Sequence, residues 1–410
     1  MRHPAQRNQA LDILRAFAVL LVLGRHVPYY QIWTRVGWIG VDLFFVLSGF
    51  LISSLLFREF QQTGSIAYSR FIIRRGLKIW PSFYVLLLVA LVIVTIGNSW
   101  FHTWPDGFPY LRFVAHTFFL QSYGYHTVFY LRPLEHTWSL AVEEHFYLLF
   151  PLLLIALSRF MPKKREVLWP IPYIFLALFF ACLVLRMFSP VPGSQVIVAA
   201  THLRLDSLFS GVAIGYLAHF RKTWFARIAN LPMLIVAAVL CAPSFFFESK
   251  SRWMQVYGVS GLLLAFAIVV ACSADKDFSK ILGTKVSAGL SRIGRDSYAI
   301  YLWHYPLALF FSFIQKSAAV FWLYMMCSIA LGVLMAKAVE QPFLRLRDKL
   351  FPSASSASLV VGPEIDVAPN DQFGPLAMAG LQDAMGPGNR THDTDAQKPM
   401  TRSLQVSKIE

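Results

Sequence analysis

Residues 11–27 read LDILRAFAVLLVLGRHV, an apolar run with Arg15 and His26 set into it. Arg15 and His26 are separated by about three helical turns, so both project from one helix face, about 16 Å apart along the axis. Ionisable groups inside a bilayer are costly and usually face a protein interior or a water-filled path. A cation near one end and an imidazole deeper along the same face therefore outline a polar track. Taken alone, the run fits a snorkelling Arg and a structural His equally well. The rest of the chain shifts that balance.

Of 410 residues, 56% are hydrophobic and 14% charged, and the mean hydropathy is +0.53. A soluble domain carries far more charge. The 36 Phe suit lipid-facing surfaces and interfacial belts. Cys182, Cys241, Cys272 and Cys327 fall singly in apolar runs, without zinc or redox spacing, so neither a metal site nor paired disulfides are expected. The net charge of +15 raises the question of nucleic acid. The basic residues lie in short loops between apolar runs, and no nucleic-acid-binding motif accompanies them, so nucleic acid is excluded as a partner.

The apolar runs give the fold class: all-α, a polytopic membrane protein of about ten transmembrane helices. The expected spans are 11–30, 38–57, 77–97, 137–157, 168–188, 199–219, 231–247, 257–273, 297–315 and 320–339. Arg204 and Asp206 interrupt the sixth. The first is not expected to be a cleavable signal, because it holds Arg15 and His26 and no small-residue cleavage site follows. Lys and Arg concentrate in alternate loops, which places both termini in the cytoplasm. From about residue 351 onward Pro, Gly, Ser, Asp and Asn dominate and apolar periodicity ends. The expected organisation is a membrane domain over 1–350 and a disordered cytoplasmic tail over 351–410. The longest outward loop, 98–136, is aromatic and able to dip into the membrane at LRFVAHTFFLQ. No internal repeat of the transporter type is visible.

Depth then sorts the ionisable residues. Arg15, Arg74, Arg75, Lys78 and Glu340 fall on the cytoplasmic side, and the cations among them suit a polyanion such as a nucleotide phosphate. His26, Asp42, His136, Glu143, Glu144, Arg204 and Asp206 fall toward the outside, a mixture suited to proton transfer. His304 lies between. Each has a plainer role available: Arg74, Arg75 and Lys78 as topology-setting charges, Asp42 or Asp206 as the partner of a neighbouring Arg. Ser48, Gly49 and Gly211 read as close helix contacts. Glu143 and Glu144 diverge by about 100°, so only one faces a shared site. Glu143, seven residues after His136, is the expected inward carboxylate.

Several motifs in order resemble the integral-membrane acyltransferase-3 family, whose bacterial members O-acetylate surface glycans. Arg15 to His26 resembles its Arg-x10-His, GVDLFFVLSGFLI at 40–52 its second-helix signature, and RRGLKIWPSFY at 74–84 its basic motif. HTWSLAVEEHFYLLFP at 136–151, RLDSLFSG at 204–211, SYAIYLWHYP at 297–306 and EQP at 340–342 complete the set. The likeness covers roughly 8–347. Lys78 stands where many relatives carry the second Arg of Arg-x-x-Arg, keeping the charge and losing the bidentate fork.

The resemblance implies an O-acyltransferase of the bacterial inner membrane with no bound cofactor. Its donor is cytoplasmic acyl-CoA, usually acetyl-CoA. Its acceptor is a hydroxyl of a surface polysaccharide, lipopolysaccharide or other lipid-linked glycan. On this reading Arg15, Arg74, Arg75 and Lys78 bind acyl-CoA, and His26 is the general base, with Asp42 or Glu143 orienting its ring. His136, Ser139, Arg204, Asp206, His304 and Glu340 support the site. No Ser–His–Asp order is recognisable, so direct transfer is favoured, with an acyl-His26 intermediate left open. Relatives that acylate small molecules such as macrolides, and a proton-coupled exporter of glycan or lipid, are the alternatives; a non-catalytic scaffold has no need of buried charges on both faces. With no soluble hydrolase-like domain attached, transfer is expected to finish within the membrane unit or on a separate partner.

Overall fold

The computed structural model describes residues 8–101, 109–123, 129–160, 168–189, 199–274, 276 and 278–352. Each of the ten apolar stretches forms a helix: α1 (Gln9–His26), α2 (Ile39–Thr63), α3 (Tyr68–Phe101), α4 (Trp138–Phe160), α5 (Ile171–Phe188), α6 (Leu205–Phe220), α7 (Leu231–Cys241), α8 (Val259–Ser273), α9 (Ser297–Phe311) and α10 (Ala318–Met335). No strand occurs among the described residues. The chain is an all-α, multi-pass membrane protein.

Among the described residues, six segments are long and apolar enough to cross a membrane unaided: Ile39–Thr63, Tyr68–Gly97, Arg132–Phe160, Ile171–Phe188, Met254–Ser273 and Ala318–Leu350. A pair bent by 59°, Lys222–Ile228 with Leu231–Phe246, makes a seventh when taken as one span. The three others expected to span fall short for physical reasons. Helix α1 carries Asp12, Arg15 and Arg25 within 18 residues. Helices α6 and α9 have 16 and 15 residues, about 23 Å of rise against about 30 Å of hydrocarbon. These are the helices that carry His26, Asp206 and His304, so the departures from a plain span fall where the ionisable residues are.

Lipid-facing and core-facing sides separate cleanly. Leu88, Val92 and Ile96, one stripe along α3, are about half exposed, whereas Phe83, Leu86 and Ala90 on the same helix are buried. Small residues bring α2 against α6. A Cβ on Gly49 would strike the Leu208 carbonyl, and one on Gly211 the Val46 carbonyl, so the close contact read from the sequence is present. After α10 a π-helical turn, Ala336–Glu340, leads into the helix Gln341–Leu350. Arg74 ties that helix down through Asp348, at 3.3 Å, and the Phe351 carbonyl. The expectation for 351–410 falls, beyond Phe351 and Pro352, outside the described residues.

Candidate active site

Among the described residues, four adjoining cavities run through the bundle. At one end Lys78, Arg292, Arg295 and Arg347 face Glu340 and Asp296 around a volume of about 400 Å³. Lys78 and Arg295 also line the next cavity, of about 80 Å³, with Arg15, Arg75 and Glu143. Val41 and Tyr301 in turn join it to a third, of about 370 Å³, that holds His26, Asp42, His136 and Arg204. His26 and Glu135 open that one onto a fourth, of about 420 Å³, with Tyr130, Arg132 and Tyr305. Helix α1 runs along the series, presenting Arg15 to the second cavity and His26 to the third. The π-helical turn before Gln341 puts Glu340 into the first; such turns recur at functional sites.

The second cavity is a nest of cations around one carboxylate. Glu143 accepts hydrogen bonds from Ser48 Oγ at 2.9 Å and Tyr147 Oη at 2.6 Å. Arg75 lies over the Tyr147 ring, 5.4 Å from its centre. Ser48 is thus a ligand of Glu143 rather than a mere contact residue. Glu144 turns away and accepts from Trp80 Nε1 at 3.0 Å, as the divergence of the two neighbours requires.

Glu143 differs from expectation in its company. It shares its cavity with Arg15 and Arg75, while His136 lies in the third. His136 belongs to a 3-10 turn, Arg132–Thr137, that precedes α4. That turn winds at about 3.0 residues per turn rather than 3.6, so the seven-residue spacing does not preserve a helix face. Arg74 differs too. It lines none of the four cavities and is bonded to Asp348 and Phe351, because consecutive helical positions diverge by about 100° and Arg75 takes the inward one.

Around His26 the neighbours are aromatic. Its ring centre lies 5.1 Å from that of His304 and 5.0 Å from that of Tyr305. His136 lies 5.2 Å from His304 and stacks on Tyr305 at 5.0 Å. His136 Nε2–H donates to the Leu302 carbonyl at 3.0 Å, and His304 Nδ1–H donates to the Tyr301 carbonyl. A carbonyl only accepts, so each of those nitrogens carries a proton, while His136 Nδ1 and His304 Nε2 are buried without a partner among the described residues. Among the described residues neither Asp42 nor Glu143 hydrogen-bonds His26. Asp42 lines its cavity but is held by Arg204; Glu143 lies in the neighbouring one. Ser139 Oγ lies 2.6 Å from Tyr301 Oη and also contacts the His136 carbonyl, so no base activates it as a nucleophile. Beside the fourth cavity, burial and then the Glu135 charge push the Tyr130 phenol up to about 12, keeping it a donor to Glu135 at 3.2 Å.

Two buried ion pairs brace the outer wall. Arg204 pairs with Asp42 and lies over the Phe45 ring. Arg186 pairs with Asp206 at 2.6 Å and donates to the Leu203 carbonyl and Ser260 Oγ, each at 2.8 Å. Asp206 lines none of these four cavities. Removing one partner strands a buried charge, which typically costs about 3–5 kcal/mol. Arg186→Ala is therefore expected to lower the thermal unfolding temperature of the detergent-purified protein markedly, and an unchanged temperature would show that the pair does not hold α5 to α6.

A family model described as Acyltransferase domain matches residues 8–338. The chain belongs to that acyltransferase family. It is 32% identical to the O-acetyltransferase OatA of Staphylococcus aureus strain NCTC 8325 over 313 residues, which cover 73% of this chain and 50% of that one. The OatA of strain COL gives the same figures. A further S. aureus COL protein, itself described only provisionally as an O-acetyltransferase, is 29% identical over 318 residues, again 73% of this chain and 50% of its own length. The chain thus spans about half the length of the curated relatives it matches. No solved structure matches it.

Within this member of the family, several residues that line or brace the track carried little signal in the sequence. Arg186 stood out only as a lone charge in the last turn of an otherwise apolar helix. Arg292, Arg295 and Arg347 sat in loops whose basic residues read as topology signals. Glu135 immediately precedes the His136 motif, and Gln255 is a single polar residue at the head of an apolar run.

Proposed function

We propose that this acyltransferase moves an acyl group, acetyl by preference, from acyl-CoA at the basic end of the track to a hydroxyl of a surface polysaccharide, lipopolysaccharide or other lipid-linked glycan at the far end. The observation that carries the reading is the junction at Val41 and Tyr301, where the cation-lined cavity meets the one lined by His26. Phosphates of CoA find guanidinium and ammonium partners at the first mouth, and the pantetheine arm leads the thioester past Arg15 toward the junction. His26 takes the proton of the acceptor hydroxyl as its oxygen attacks the thioester carbonyl. The carbon–sulfur bond breaks, the new ester leaves on the acceptor, and the proton passes from His26 to the departing thiolate to give CoA. A positioned base of this kind typically contributes 10²–10⁴-fold. The basic loops favour a CoA end, and both termini, on the cytoplasmic side of a bacterial inner membrane.

Deleting the gene and restoring it with wild type or His26→Ala tests the reading. Ester acetyl signals in the proton NMR spectrum of purified surface polysaccharide should vanish on deletion and return only with wild type. Unchanged acetyl signals in the deletion strain would refute the acceptor class.

The functional unit should end close to the described residues. A chain stopped after Pro352 keeps the Arg74 anchor at Phe351 and is expected to retain transfer. One stopped near residue 338 loses Glu340 and the helix behind it and is expected to be inactive. Loss of activity in the longer form, at normal protein levels, would make the tail a regulatory or docking element.

A further inference from the structure

The two ends of the track differ in what they offer a ligand. The basic end offers mainly cations, which suit phosphates. The third cavity mixes charged groups of both signs with neutral hydrogen-bonding atoms that have no partner among the described residues. Gln255 lines it from a π-helical turn, Met254–Gly258, with its side chain 1% exposed. Among the described residues, neither its Nε2 nor its Oε1 has a hydrogen-bond partner. His136 lines the same cavity at 4% exposure and leaves Nδ1 unpaired, because its other nitrogen is spent on Leu302. Of the cations on that wall, Arg25 donates to the Thr34 carbonyl at 2.9 Å; Arg204 pairs with Asp42 yet keeps Nε and Nη1 without a partner among the described residues, and Lys250 lines the cavity as well, so further donors flank the seat.

An orphaned buried amide is expensive, on the order of 1–3 kcal/mol for each unsatisfied group, and is retained where a ligand completes it. An amide offers one donor edge and one acceptor edge side by side. A vicinal diol matches it: one hydroxyl donates to Oε1 while its neighbour accepts from Nε2. An imidazole lone pair takes one further hydroxyl.

We propose that Gln255 and His136 Nδ1 seat the acceptor by a pair of adjacent hydroxyls, holding the hydroxyl to be acylated against His26. This rests on the acyl-transfer reading and adds the chemical class of the acceptor's recognised part, a vicinal diol of a sugar. Gln255 is a binding residue, and Glu135, at the opening shared with the fourth cavity, marks the side from which the rest of the glycan enters.

The test uses the purified full chain, acetyl-CoA, and the trisaccharide of N-acetylglucosamine as acceptor probe, with CoA thiol release as the readout. Gln255→Leu keeps the volume and removes both polar edges. It should raise the KM for the trisaccharide on the order of 10- to 100-fold, leave the KM for acetyl-CoA within about twofold, and leave the unfolding temperature unchanged or higher. Gln255→Glu keeps acceptor atoms and loses the donor, and should fall between. The fully O-methylated trisaccharide should neither accept acetyl nor compete. An unchanged trisaccharide KM in Gln255→Leu overturns the seat, as does equal competition by the O-methylated sugar. So does a wild type that ignores the trisaccharide while still acetylating bacterial membrane glycans. Failure to acetylate any glycan would instead count against the transfer reading itself.

Discussion

His26→Ala is expected to reduce acyl transfer by about 10²–10⁴-fold with near-normal membrane insertion. The imidazole lines both far-end cavities, and the same helix α1 presents Arg15 to the cation-lined one. Its contacts are ring packing against His304 and Tyr305, without a hydrogen bond that the fold needs. Losing that packing costs little in a helix whose other buried positions include Val19, Val22 and Leu23. Transfer rates and thermal unfolding, measured on the same detergent preparation, separate the two effects. Wild-type turnover by a well-folded His26→Ala protein would remove the general-base assignment.

Arg15→Ala combined with Arg75→Ala is expected to weaken acyl-CoA binding by about 100-fold or more, since hydrogen bonds to charged groups contribute about 1.5–3 kcal/mol each. Both guanidinium groups line the small cavity through which the donor would pass. High ionic strength should weaken wild-type binding as well, through screening at the open basic mouth. Arg74→Ala supplies the internal control. Its side chain is engaged with Asp348 and Phe351, so it is expected to lower thermal stability while leaving CoA affinity within about twofold. Equal losses of affinity from Arg74→Ala and Arg75→Ala would show that bulk positive charge, not the cavity, holds the donor.

Helix existence was legible in the sequence because a bilayer demands long apolar runs, and every such run from 11–30 to 320–339 is helical. The pairing of Arg15 with His26 was legible for the same reason, since within one continuous helix the rotation per residue is known. Rotation across a break was not. The 3-10 turn before Trp138 separates His136 from Glu143, and no local pattern announces it. Nor does a sequence show which of two adjacent cations turns inward; Arg75 does and Arg74 does not. Long-range partners were out of reach as well. His304 meets His26 only through the packing of α9 on α1, and Arg186 meets Asp206 only through that of α5 on α6. The unpaired amide of Gln255 is visible only once its surroundings are known to offer nothing.

The most direct measurement places donor and acceptor on opposite faces of one membrane. The full chain is reconstituted into sealed vesicles with radiolabelled acetyl-CoA on the side of the basic loops and bacterial lipid-linked glycan exposed on the other. Release of CoA should depend on the glycan and match the ester label formed on it one for one, and both should disappear in His26→Ala. Glycan crossing the membrane without release of CoA, or CoA release that ignores the glycan, would contradict acyl transfer along this track.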